Sequence, residues 1–281
     1  MLKVLFRIFP LRFFLWFGRR MGEVGFVIIK KRRKIALENI KKAFPELSAK
    51  QQKRLALNHF RSLGMGLIEA LCSWNADFNK LREIAKVEGM ENVPQNKGAI
   101  IMFFHFTSLE IGCSLLGLAT RVAAVYRKQN NTRFNAVMEQ GRNRFEDKTG
   151  SIIIDKNDLR FVLKYLKNGG KVVIASDQNS TAGNWTFVDF FGQKVPVTTA
   201  VSKLAKATES KVLPLSVRKG KTSYKLKIHP AFTNFGQDPK QDAQTMMNWL
   251  ETEARQIPEQ YLWTHRIFKS PHKNSYTRLL K

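Results

Sequence analysis

The stretch GAIIMFFHFTSLE, residues 98–110, decides how the rest of the chain is read. It opens with an uncharged apolar run of the length of a fully buried strand, and His105 follows at once. Thr107 or Ser108 is placed to open a helix, and Glu110 falls in its first turn. A strand running through a short loop into a helix is the unit of an α/β sheet, whose reactive groups gather beyond the carboxyl ends of the strands. A carboxylate near such an end can hold an imidazole in one tautomer and stabilise its protonated form. His105 and Glu110 thus read as a base with its orienter, suited to deprotonating a hydroxyl. The same letters have a plainer reading, because Thr107-x-x-Glu110 is also a capping box in which Glu110 satisfies a backbone N–H.

Outward from this stretch the α/β texture continues. VAAVY (122–126), SIII (151–154), KVVIAS (171–176) and VLPLSV (212–217) read as strands, and YKLKIHP (224–230) as an alternating edge strand. Helices are expected around 133–146, 158–167, 198–208 and 240–256. Upstream, Leu37, Ile40 and Phe44 recur at helical spacing until Pro45, and Ser48 can cap a second helix reaching Trp74. The expected fold is α/β, with a mostly parallel central sheet flanked by helices. It forms one domain over 31–281, behind an N-terminal membrane-associated helical segment over 1–30.

Charge narrows the partners. The 281 residues carry a formal net charge of +26. Residues 1–61 hold sixteen Lys and Arg against three acidic residues, and none of the residues after Glu259 is acidic. Nucleic acid, an anionic membrane and acidic carriers or substrates all suit such a surface. The segment FFLWF (13–17) among arginines favours the membrane, with aromatic rings in the acyl region and guanidinium groups among the head groups. Arg7, Arg12, Arg19, Arg20 and Glu23 interrupt this segment too often for a spanning helix or a secretory signal. Cys72 and Cys113 form no CxxC pair and read as core thiols, and the histidine spacing offers no metal site. No GxSxG elbow, HExxH, Walker A or GxGxxG motif occurs. Direct attack by an acceptor hydroxyl on an acyl donor in a ternary complex needs none of them.

From about residue 20 to 270 the chain resembles the late acyltransferases of bacterial lipid A biosynthesis. HFTSLE matches their His-x4-Glu signature. RRKIALENIKKAFPELS, SLGMGLIEALCSW, VYRKQNN, VIASDQN, FVDFFGQ and IPEQYLWTHRIFK resemble their remaining motifs. The wording around HFTSLE and GMGLIE is most similar to the lauroyl-transferase branch. The resemblance implies a glycerolipid-acyltransferase-like fold at the cytoplasmic face of the inner membrane. It implies transfer of a fatty acyl chain from acyl carrier protein to a hydroxyl of a Kdo-bearing lipid A precursor, with no cofactor and no metal. His105 and Glu110 would be catalytic. Arg127, Asp177 and Gln178 would bind substrate, with Asp177 supporting Arg127 or the acceptor, and Phe190 and Phe191 would border the acyl channel. Trp263, His265 and Arg266 belong to a motif whose role the letters do not reveal. The implied partners are acyl carrier protein, an anionic glycolipid and the membrane surface, with no nucleic acid. Acylation of a lysophospholipid, a glycerolipid or another glycolipid is the neighbouring reading, and a basic RNA- or membrane-binding protein is the non-enzymatic one.

Overall fold

The first consequence of the apolar run is β2, Ala99–Met102, whose four residues are all buried. A computed structural model describes residues 9–178 and 183–269 and places β2 near the middle of a seven-stranded sheet. The other strands are β1 (Ala85–Glu88), β3 (Ala123–Tyr126), β4 (Ile152–Asp155), β5 (Lys171–Ile174), β8 (Lys211–Lys219) and β9 (Tyr224–Ile228), in the order β1-β9-β8-β2-β5-β3-β4. Every pairing is parallel except β8 with β9. The fold is thus α/β with a mostly parallel sheet. β9 alternates buried and exposed residues but is not an edge, because β1 pairs along its outer side. Between β5 and β8 lies a separate hairpin of β6 (Trp185–Phe190) and β7 (Gln193–Thr198) that the strand pattern did not announce.

Two features of register position the site. Met102 of β2 lies opposite Ile174 of β5, and the Phe103 N–H donates to the Ile174 carbonyl at 3.0 Å. Residues three places beyond each strand, 105 and 177, therefore leave the sheet side by side. In contrast, β3 pairs with β5 only at Ala123–Val172 and Ala124–Val173, so these two strands part at their carboxyl ends.

Helices cover both faces. They are α1 (Leu11–Ile28), α2 (Lys30–Ala43), α3 (Ala49–Asn75), α4 (Phe78–Glu83), α5 (Leu109–Ala119), α6 (Thr132–Thr149), α7 (Leu159–Lys167), α8 (Ala200–Thr208) and α9 (Pro239–Gln256). Ser48 caps α3 in a reciprocal capping box with Gln51. α5 lies close on the sheet because Gly112 has no side chain, and a Cβ there would sit 2.7 Å from the Phe103 ring.

α1 packs antiparallel on α3 through small residues. A Cβ on Gly22 would fall 2.1 Å from the Phe60 carbonyl oxygen, and one on Gly64 2.0 Å from that of Gly18. Leu15 and Phe26 complete this inner face, and Glu23 accepts from Arg61 at 2.8 Å. Phe13, Trp16, Phe17, Val24, Val27 and Ile28 face outward. Among the described residues no helix is long and apolar enough to cross a membrane. Phe6 and Arg7, and the basic residues after 269, lie outside the described residues. Because backbone meets backbone at this crossing, Gly22→Val and Gly64→Val are each expected to destabilise the protein by about 1–3 kcal/mol or more through overpacking. Thermal melts read this directly, and unchanged midpoints in both variants would mean that the helices do not cross at these glycines.

Candidate active site

His105 and Asp177 meet as the strand register requires. The ring Nδ1 lies 2.6 Å from Asp177 Oδ1, and the His105 backbone N–H donates to Oδ2 at 3.1 Å. Asp177 is 1% exposed, so its charge has to be met by partners within the fold. An ionised carboxylate only accepts, which assigns the proton to Nδ1 and the free lone pair to Nε2. Burial disfavours the imidazolium, but the charge and hydrogen bond of Asp177 outweigh it and raise the His105 pKa above the ordinary value of 6.5. Burial likewise works against the Asp177 charge. His105, through charge, ring and backbone N–H, overcomes it and holds the carboxyl below its usual 3.8.

The orienting carboxylate on His105 is therefore Asp177, not the expected Glu110. Glu110 does lie in the first turn of α5, but its side chain turns to two other helices. Oε1 accepts from Trp74 Nε1 at 2.7 Å and from Arg142 Nε at 2.8 Å, and Oε2 accepts from Arg142 Nη2 at 2.6 Å. The capping box does not form either, because the Thr107 N–H donates to the Gln260 carbonyl and its hydroxyl bonds to Ser62. The ring of Trp74 reaches Glu110 over Gly141 of α6, where a Cβ would come within 2.3 Å of the indole. Arg142 itself sits 5.7 Å above the Tyr126 ring, and the Tyr126 hydroxyl donates to Glu139.

His105, Glu110 and Arg142 all line one cavity of about 1010 Å³, which opens where β3 and β5 part. Phe103, Leu109, Val122, Ala124, Phe145 and Val173 give it an apolar flank. Arg127 and Lys128, both exposed, stand at its edge together with Gln178. Among the described residues Asp177 is bonded to His105, with Tyr261 beside it, and not to Arg127. Cys113 also borders the cavity. Burial first, then Glu110, pushes its thiol up to about 12, so it stays protonated.

Phe190 and Phe191 do not line this cavity. Phe190 is fully buried against Tyr261 and Phe268, and Phe191 packs on Phe44 and Trp263. The reason is the hairpin, whose two-residue turn Phe191-Gly192 takes positive φ at both positions (50° and 66°) and folds the pair into the core.

The IPEQYLWTHRIFK motif gains a place. Its backbone runs beside the loop that carries His105, with Thr107 N–H donating to Gln260 and Leu262 N–H to the His105 carbonyl. Asn39 Nδ2 holds the Trp263 and His265 carbonyls at 2.6 Å each, and the indole of Trp263 donates to Pro258. Tyr261 is fully buried with its hydroxyl toward Asp177, and burial and that carboxylate raise its pKa. Burial lowers the pKa of His265, which lies near enough to Asp177, His105, Arg32 and Arg266 to feel all four charges. Tyr261, Trp74 and Arg142 were not singled out as site residues from the letters. Tyr261 and Trp74 sit inside the quoted motifs IPEQYLWTHRIFK and SLGMGLIEALCSW, whereas nothing in the spacing of α6 marks Arg142.

Comparisons with known proteins identify the family. Residues 1–270 match the family model for bacterial lipid A biosynthesis acyltransferases. The lipid A biosynthesis palmitoleoyltransferase of Escherichia coli K12 is 34% identical over 260 residues, covering 90% of this chain and 84% of that protein. The lauroyltransferase of the same organism is 29% identical over 265 residues, covering 90% and 84%. Among solved structures, a 1-acyl-sn-glycerophosphate acyltransferase from Thermotoga maritima aligns with a TM-score of 0.41 and 18% identity over 92% of this chain and 98% of that one. With a family match over nearly its whole length, the chain belongs to the bacterial lipid A biosynthesis acyltransferases and is an O-acyltransferase.

Proposed function

We propose that the protein transfers a fatty acyl chain from acyl carrier protein to a hydroxyl of a Kdo-bearing lipid A precursor, at the cytoplasmic face of the inner membrane. The observation that carries the chemistry is the His105–Asp177 hydrogen bond at the head of the cavity, which leaves Nε2 as a lone pair. In this reading Nε2 takes the proton of the acceptor hydroxyl while its oxygen attacks the thioester carbonyl carbon. A tetrahedral oxyanion forms and collapses, the C–S bond breaks, and the departing thiolate recovers the proton from His105. Asp177 orients the ring and stabilises its charged form. Glu110, the second member of the expected pair, aims the Arg142 guanidinium at the cavity, where a fixed positive charge suits the developing oxyanion. The apolar flank takes the acyl chain, and Arg127 and Gln178 meet the acceptor at the rim. An acidic carrier and a phosphorylated acceptor both suit a chain of charge +26.

Residues 1–30 belong to this reading as an interfacial anchor, with the body of the enzyme over 31–281. The outward face of α1 combines Phe13, Trp16 and Phe17 with exposed Arg12, Arg19 and Arg20. Aromatic rings and basic residues on a helix that does not span are the composition of a membrane-surface helix.

The direct test of function incubates the purified protein with acyl carrier species of several chain lengths and a Kdo-bearing lipid A precursor, then weighs the product. One added acyl chain is expected, and its absence with every donor would exclude the reading. His105→Ala should lose about 10²–10⁴-fold in rate while remaining folded. The pH profile follows from the sign of the His105 shift. The proton-accepting form is populated only above a raised pKa, so kcat/KM should climb with pH through a midpoint above 6.5. Asp177→Asn should lower both that midpoint and the plateau, and an unmoved midpoint would remove Asp177 from its role. Trp16→Ser with Phe17→Ser should weaken binding to anionic vesicles by about tenfold, from lost apolar burial. Equal binding by wild type and variant would refute the anchor.

A further inference from the structure

Large apolar side chains are also exposed away from α1. Phe134 and Val137, at 46% and 53% exposure, protrude from the first half of α6, and Phe134 borders the mouth of the cavity. Leu67 of α3, at 48%, is another, and Leu159 and Phe161 of α7 are exposed as well. On a helix of 100° per residue, Gly64 and Ala70 lie about 60° to either side of Leu67. Gly64 meets α1, and Ala70 packs with Met138 of α6. Leu67 thus fills the surface between the two outer helices. The exposed aromatic face of α1, Leu67, and the Phe134–Val137 edge of α6 make one surface that ends at the mouth. Basic groups fringe it at both ends, Arg12, Arg19 and Arg20 on α1, and Arg127, Lys128 and Arg133 beside Phe134. Single exposed apolar residues need no explanation, but a run of them across three helices, edged by cations, marks an interaction surface.

We propose that this surface is a second membrane contact, in which the first half of α6 enters the head-group region of an anionic bilayer and sets the mouth of the cavity against the lipid. An acidic protein partner would match the cations but not the apolar line between them, whereas a bilayer interface matches both. A lipid-borne acceptor then passes from the membrane to His105 along the rim of α6 without crossing water. The inference builds on the membrane-anchor reading of α1 but makes a separate claim, because it concerns a different helix.

The test uses the full chain with an environment-sensitive fluorophore on Val137→Cys, compared with Val24→Cys on α1 and Lys97→Cys at the opposite end of the sheet, in a Cys113→Ala background. The probe is titrated with vesicles of phosphatidylglycerol and phosphatidylethanolamine. A blue shift at 137 and at 24, but not at 97, is the expected result. A shift at 24 with none at 137 leaves the anchor standing and overturns this proposal. A shift at 137 with none at 24 supports the α6 contact and refutes the anchor. A shift at 137 that follows protein concentration without vesicles, or that needs an acidic carrier protein, assigns the surface to a second copy or to that carrier and overturns the proposal. Val137→Asp, at a position that does not line the cavity, should raise KM for acceptor in vesicles several-fold while leaving turnover of a detergent-dispersed acceptor unchanged. Equal effects on both would also overturn it.

Discussion

The hydrogen bond between His105 and Asp177 is the constraint around which the rest of the molecule is arranged. A carboxylate with 1% exposure cannot remain ionised without partners, and the ring and the backbone N–H of His105 supply two of them. The pair forms because β2 and β5 are parallel neighbours in a register that brings 105 and 177 abreast. Shifting that register by one residue would also turn every buried side chain of β2 to the wrong face. The identity of the strand residues and the geometry of the base are therefore one requirement. The strap from Pro258 to His265 closes it from the other side, with Leu262 bonded to the His105 carbonyl and Tyr261 turned toward Asp177.

A second theme is the use of missing side chains to bring helices close. At Gly66 a Cβ would sit 2.3 Å from the Thr107 carbonyl oxygen, so α3 lies directly against the loop that carries His105. Thr107 and Ser62 share a hydrogen bond across the same contact. Gly64 lets α1 approach α3 from its other side, and Gly141 admits the Trp74 ring that reaches Glu110. One helix thus connects the outward aromatic face of α1 with the charged cluster lining the cavity. Packing of this kind transmits position without being compliant, because interiors at crystal-like density do not absorb a methyl group.

Much of the fold was legible before any coordinates. The period-2 and period-3.6 patterns, Pro45, Ser48 and the position of His105 after a buried run mark most of the elements, though not β1, α4 or the β6–β7 hairpin, and the end of the sheet where chemistry gathers. Strand order was not legible. Nothing in KVVIAS says that it lies beside GAIIMFF, so the letters pair His105 with Glu110, five residues away, instead of with Asp177, seventy-two residues away. Local spacing constrains neighbours on a helix, but a sheet brings together residues that no spacing rule connects. Phe190 and Phe191 failed for a related reason. An aromatic pair next to glycine reads the same in a lining as in a hairpin tip, and only the β6–β7 register turns it into the core. Arg142 was invisible because one basic residue among forty-eight Lys and Arg carries no signal until Glu110 is seen beside it.

The central claim is that Asp177, not Glu110, sets the protonation state of the His105 imidazole, the base in the proposed reaction. Nitrogen-15 NMR of the His105 ring across a pH titration tests it most directly, in the wild type and in the Asp177→Asn and Glu110→Gln variants. The account predicts a neutral form protonated at Nδ1, with a pKa above 6.5. Both features should be lost in Asp177→Asn, whereas Glu110→Gln should keep the Nδ1-protonated form and a raised pKa. A ring that keeps its tautomer and pKa in Asp177→Asn but loses them in Glu110→Gln would contradict the account and return the orienting role to Glu110.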